Sequence, residues 1–132
     1  MMLGGEKLKK VVLKNYKIFN IYGPSETTIA ATNFEVDRED YLNIPIGKPL
    51  DNYKIYIVDQ DLNLCPIGVA GELCISGHGV GMGYINLPNM NKEKFIENPF
   101  HLSTDHSLLY KSGDLAKWLP DGNIEFIGRI DF

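Results

Sequence analysis

The spacing of apolar and polar positions changes character near residue 30 of the 132-residue chain. Before it, residues 7–14 interleave Lys7, Lys9, Lys10 and Lys14 with Leu8, Val11, Val12 and Leu13, the pattern of a short amphipathic helix with a solvated basic face. Residues 17–22 (KIFNIY) form a β-prone run, and Gly23-Pro24 ends it by fixing a turn. Helix, strand and turn in that order are the grammar of an α/β unit. Beyond the turn, residues 29–36, Tyr53–Val58 (YKIYIV) and 71–76 (GELCIS) each predict a short strand, with Pro45, Pro49 and residues 59–66 as breaks. Residues 89–97 predict a helix capped by Asn89 or Asn91 and stopped by Asn98-Pro99. Residues 108–111, 115–119 and 124–127 predict further strands, the last two joined by the hairpin turn Pro120-Asp121-Gly122-Asn123. Strands at this spacing imply a small barrel or sandwich, so the fold class is α+β and β-rich, without an internal repeat.

Composition narrows the functional classes. With 44% hydrophobic and 23% charged residues the chain is globular in type, and no apolar run is long enough to span a bilayer. A net charge of -4 argues against a general nucleic-acid face. The expectation is therefore no nucleic acid and no membrane. Cys65 and Cys74 are too few, and too far from any Cys or His at ligand spacing, for a zinc site or a disulfide framework. With no signal peptide at the start, a cytoplasmic location is expected, and Cys74 reads as core. The opening Met1-Met2-Leu3-Gly4-Gly5 reads as an interior loop exposed by truncation.

Candidate chemistry concentrates in residues 20–28 (NIYGPSETT). Tyr22 stands just before the turn, with Ser25 and Glu26 just after it. An aromatic face can stack on a base, a hydroxyl can donate to a phosphate oxygen, and a carboxylate can hold a magnesium ion that bridges phosphates. The same residues also make an ordinary turn followed by an ordinary helix start. Residues 77–83 (GHGVGMG) fit neither the dinucleotide fingerprint nor the P-loop, so their glycines are expected to allow positive φ and close packing; His78 receives no role. In residues 110–115 (YKSGDL), Asp114 at a glycine turn is suited to take both hydroxyls of a ribose, or simply opens the next strand. Arg129 is a surface ion-pair partner or a planar donor for phosphate or ribose oxygens.

The order NIYGPSETT, PIGVAGELCISGHGVGMGY, YKSGDLAKWLPDGNIEFIGRID closely resembles the adenylation domains of nonribosomal peptide synthetases, within the superfamily of adenylate-forming ligases that includes acyl-CoA synthetases and luciferases. The resemblance runs from Gly4 to Asp131. It implies that Tyr22 is the adenine-stacking aromatic, that Asn20 and Gly23 lie at the base, that Ser25 contacts phosphate and that Glu26 holds magnesium. It implies further that Asp114 binds ribose, that Arg129 lies near the ribose, and that Asp131 is the hinge to a small C-terminal domain. Gly4, Ile21, Ile29 and Ala30 match positions of the amino-acid side-chain pocket, and their apolar or small character hints at an uncharged side chain.

Departures from the family are Met82 where Arg is usual, and Ser25 and Ser112 where Thr is more frequent. The hydroxyl survives in both serines; the charge at Met82 does not. The family's phosphate loop, the aspartate for the substrate ammonium and the C-terminal lysine are not among these 132 residues. The chain thus reads as a fragment of an adenylate-forming enzyme's large N-terminal domain. Residues 1–33 would be the truncated end of an α/β subdomain, 34–128 a distorted β-barrel subdomain, and 129–132 the start of the hinge. The implied parent activity turns an amino acid and ATP into aminoacyl-AMP and pyrophosphate, then transfers the aminoacyl group to the phosphopantetheine thiol of a peptidyl carrier protein. ATP and magnesium are the implied cofactors. The piece alone is expected to be inactive and, through an open edge along residues 17–22, to self-associate. The alternatives are a fragment of an acyl-CoA or aryl-CoA ligase, or a non-catalytic β-rich binding module.

Overall fold

A computed structural model describes residues 2–4, 17–23, 31–39, 41–51, 53–86, 92–100 and 108–130. In chain order these form β1 (Met2–Gly4), β2 (Ile18–Tyr22), β3 (Thr32–Val36), β4 (Lys48–Pro49), β5 (Tyr53–Val58), β6 (Gly71–Gly77), α1 (His78–Asn86), β7 (Phe95–Glu97), β8 (Leu108–Trp118) and β9 (Ile124–Arg129). One sheet has the order β1-β2-β3-β4, with β1 parallel to β2 and the other pairs antiparallel. The second is antiparallel throughout: β5 pairs β6, β6 pairs one side of β8, and β7 and β9 share the other side. The Ile46 N–H donates to the Ile124 carbonyl and the Ile124 N–H to the Gly47 carbonyl, each at 2.9 Å, which joins the sheets. Only glycine fits at position 47. Its φ is +95°, and a Cβ there would lie 1.8 Å from the Asn33 carbonyl oxygen.

Alternation along YKIYIV divides the second sheet's two faces. Tyr53, Ile55 and Ile57 enter the main core with Leu73, Ile75, Tyr110, Ala116 and Ile124. Val58 belongs to a smaller cluster on the other face with Cys74 and Leu109, backed by Tyr56 and Phe100, whose rings stack at 4.7 Å. Burial on both faces is why β6 carries the unbroken run Leu73-Cys74-Ile75 rather than a clean alternation. A third cluster, Ile18, Val36 and Ile44 with Phe34 and Tyr41, packs on the first sheet. Both cysteines are free, and Cys74 is fully buried.

Four expectations need correction. The glycine run after β6 is a helix, and of its glycines Gly77 alone has a positive φ among the described residues. Gly79, Val80 and Gly83 are buried on one side of α1, which packs on β6 and β8. Burial of Val80 in the main core and the packing of α1 on β6 and β8 outweigh the roughly 1 kcal/mol propensity penalty of each glycine. Next, of the helix expected over 89–97, the Asn89 or Asn91 cap lies outside the described residues, and Phe95–Glu97 is strand: pairing with β8 seats the Phe95 ring 4.9 Å from Tyr110, and that tertiary contact decides a run too short for its period to be diagnostic. Residues 108–111 and 115–119 are not two strands around a turn; one strand, β8, runs through both. Finally, β2 has neighbours on both sides, so residues 17–22 are no open edge; the outer strand of that sheet is β1.

The expected strand over residues 29–36 is seen from Thr32 onward, and β5, β6 and the hairpin turn before β9 lie where the alternation placed them. The amphipathic helix of residues 7–14 lies outside the described residues. No helix among those described is long and apolar enough to cross a membrane.

Candidate functional site

Strand β8 changes partner on its outer side, from β7 along residues 108–110 to β9 along residues 114–118, and its irregular segment sits at the changeover. On the inner side Cys74 pairs Lys111 and Glu72 pairs Leu115, so Ser112, Gly113 and Asp114 together face the single residue Leu73. This is a β-bulge, which bends a strand and re-aims its side chains. Gly113 supplies the left-handed backbone at φ +75°. The Ser112 hydroxyl donates to the Leu73 carbonyl at 2.5 Å and accepts the Asp114 N–H at 3.0 Å. The Gly113 N–H donates to Glu72 Oε2 at 3.0 Å, and the Gly113 carbonyl accepts the Ile130 N–H at 2.9 Å. A hydroxyl at position 112 is therefore structural, and serine serves as threonine would.

The bulge points Asp114 at two partners from different parts of the chain. The hairpin register sets Arg129 directly opposite Asp114, where Nη1 donates to Asp114 Oδ1 and to the Ser112 carbonyl, both at 2.9 Å. From the end of β2, in the other sheet, the Tyr22 hydroxyl donates to Asp114 Oδ2. The Tyr22 ring also tilts against Phe126, centroids 6.1 Å apart. Burial, then the Asp114 charge, then the hydrogen bond itself push the Tyr22 phenol well above its ordinary range, so it stays a donor. Asp114 is 6% exposed, whereas the Arg129 side chain is 43% exposed. A carboxylate offers about four lone-pair sites. Tyr22 takes one on Oδ2 and Arg129 one on Oδ1.

The other predicted residues lie around this centre. Asn20 is buried on the same face of β2 as Tyr22, but its amide donates to the Pro45 carbonyl at 2.9 Å, anchoring the segment before Gly47. Ile21 takes the face of β2 opposite Tyr22 and pairs in register with Gly4, so these two pocket candidates are neighbours along the ladder. Gly23 is exposed just past β2, and the Ala31 N–H donates to the Tyr22 carbonyl at 2.8 Å. Ser25, Glu26, Ile29, Ala30 and Asp131 lie outside the described residues. Met82 is half exposed on α1. Among the described residues no group of three His, Cys, Asp or Glu gathers as a metal site.

Two residues escaped the sequence reading. Phe126 was only a strand position, and nothing in its alternation marks it as the neighbour of Tyr22. Glu72 left a signal, a carboxylate inside the otherwise apolar run GELCIS.

The sequence model for AMP-binding enzymes matches residues 1–85. Bacitracin synthase 1 of Bacillus licheniformis is 53% identical over 131 residues, 99% of this chain and 2% of that protein. Surfactin synthase subunit 2 of Bacillus subtilis (strain 168) is 46% identical over 138 residues, 99% of this chain and 4% of that protein. The chain thus spans a small part of the length of its relatives. Among solved structures, Klebsiella oxytoca NpsA in complex with 3-hydroxyanthranilyl-AMSN superimposes with a TM-score of 0.80 at 27% identity, covering 98% of this chain and 28% of that one. An artificially fused adenylation–PCP di-domain of NpsA and ThdA gives the same TM-score and identity, covering 97% and 25%. A family match across residues 1–85, whole-chain similarity to these synthases and a shared fold have one reading: the chain belongs to the AMP-binding enzyme family.

Proposed function

We propose that this chain is part of an adenylation domain of a nonribosomal peptide synthetase, acting in the cytoplasm, in which an amino-acid carboxylate attacks the α-phosphorus of ATP to give aminoacyl-AMP and release pyrophosphate. The observation that carries this is the meeting of Tyr22, Asp114 and Arg129, contributed by two sheets, with Tyr22 on one oxygen of the Asp114 carboxylate and Arg129 on the other. Asp114 accepts the two ribose hydroxyls. Tyr22 offers its ring to adenine while its hydroxyl holds Asp114 in place, Asn20 and Gly23 border the base, and Arg129 flanks the ribose.

Ser25 and Glu26, in the sequence between Tyr22 and Ala31, take the phosphate and the magnesium. Magnesium, when bound, offsets phosphate charge. Gly4, Ile21, Ile29 and Ala30 contribute to the pocket for an uncharged side chain. Residues 1–33 end an α/β subdomain, 34–128 form the barrel-like subdomain and Asp131 begins a hinge, with the aminoacyl group passing to the phosphopantetheine thiol of a carrier domain. The solved adenylation–PCP di-domain supports a carrier partner. The aryl ligand of NpsA keeps an aryl acid as the second reading for the carboxylate substrate.

Pyrophosphate exchange by the full-length protein, over a panel of amino acids and aryl acids, tests the proposal. Asp114→Asn removes the charge and one acceptor, at about 1–3 kcal/mol, so KM for ATP should rise roughly 5- to 150-fold with KM for the acid substrate unchanged. Exchange with no carboxylic acid in the panel refutes the activity. Unchanged ATP affinity beside altered acid affinity removes Asp114 from the ribose.

A further inference from the structure

The Glu72 side chain points into the bulge of β8 and is 20% exposed. Its Oε2 accepts the Gly113 N–H at 3.0 Å, and its Oε1 faces the Lys111 ammonium at 3.9 Å. These two partners flank Ser112, so one carboxylate spans the first half of the bulge. A bulge places extra residues where the ladder has no matching partner, and each buried or half-buried N–H there needs another acceptor. The Ser112 hydroxyl serves Asp114, and Glu72 serves Gly113. The Asp114 Cα is one peptide unit beyond that anchored nitrogen, so the anchor helps set the direction in which the Asp114 side chain leaves the strand.

We propose that Glu72 is a positioning residue for the Asp114 carboxylate: by accepting the Gly113 N–H it fixes the bulge in the form that presents both Asp114 oxygens to a ribose. The inference rests on the reading of Asp114 as the ribose acceptor. Losing Glu72 leaves the Asp114 carboxylate present but less well aimed, and small misplacements are costly in a geometry set by two simultaneous hydrogen bonds.

The experiment compares ATP with 2′-deoxyATP in pyrophosphate exchange by the full-length protein. The parent should prefer ATP in kcat/KM by roughly 10- to 150-fold, the loss expected for one hydrogen bond to a carboxylate. In Glu72→Ala that preference should fall below about threefold, with KM for the acid substrate within about twofold of the parent. Glu72→Gln, which keeps an oxygen acceptor, should restore most of it. A purely structural role would lower overall activity without moving the ratio. If Glu72→Ala keeps the parental ratio while Asp114→Asn loses it, the inference is wrong and the ribose reading stands. If Asp114→Asn also keeps the ratio, the ribose reading fails and the inference with it. Should Glu72→Ala be insoluble, Glu72→Asp, whose acceptor is withdrawn by one methylene, is judged by the same ratios.

Discussion

Replacing Gly113 by alanine separates two costs that the structure makes distinct. At φ +75° an alanine pays roughly 1–2 kcal/mol for left-handed backbone, wherever its methyl group points. The methyl would also lie 2.8 Å from Arg129 Nη2, closer than Cβ contacts come, and 3.2 Å from Cζ, tighter than most. Arginine is flexible, so it yields rather than the strand, and in yielding gives up its bond to Asp114. A hydrogen bond between charged groups is worth about 1.5–3 kcal/mol, but a guanidinium that is 43% exposed is partly repaid by water, leaving about 1 kcal/mol. The sum is roughly 2–3 kcal/mol in the parent. In an Arg129→Ala background the contact has no partner, and Gly113→Ala should cost only the backbone part, about 1–2 kcal/mol. Urea unfolding of the four chains, followed through Trp118, the chain's one tryptophan, measures the difference directly. An equal cost of Gly113→Ala in both backgrounds refutes the claim that the glycine keeps room for the guanidinium.

Tyr22→Phe deletes the hydroxyl that donates to Asp114 and should lower the unfolding free energy at neutral pH by about 1.5–3 kcal/mol. Because folding raises the Tyr22 pKa above its ordinary 10.0, its contribution is full below about pH 10 and drains away as pH rises beyond it, when the unfolded phenol ionises first. The alkaline loss of stability should therefore be shallower in Tyr22→Phe, and superimposable slopes would contradict this. Burial, with the Glu72 charge, pushes the Cys74 thiol up to about 12, so alkylation near pH 8.5 followed by peptide mass mapping should label Cys65 first and Cys74 only in denaturant. Native labelling of Cys74 ahead of Cys65 would refute its placement.

Strands whose pattern is written in side-chain alternation were legible: YKIYIV became β5 unchanged, and Pro120-Asp121-Gly122-Asn123 became the turn that brings Arg129 opposite Asp114. What misled was backbone behaviour imposed from elsewhere in the chain. The glycine run looked like loop because its helix is held by contact with β6 and β8, not by its own preferences. Phe95 looked helical because its strand pairing is with Tyr110, a contact distant along the chain that no local pattern describes. Within the site, residue types revealed Tyr22, Asp114 and Arg129 as candidates. Their convergence depends on a three-against-one bulge, and the Glu72 acceptor that serves it comes from another strand.

The paired bonds between Ile46, Gly47 and Ile124 also bear on how the chain assembles. The β8–β9 hairpin closes through a short local turn, whereas this joint brings together residues separated by most of the second sheet's sequence. Local contacts cost little chain entropy and form early; distant ones wait until intervening segments are in place. Tyr22 lies in the sheet on one side of that joint and Asp114 in the sheet on the other. Bringing Tyr22 to Asp114 therefore closes the longer loop, and by chain entropy alone that closure is expected to follow the β8–β9 hairpin.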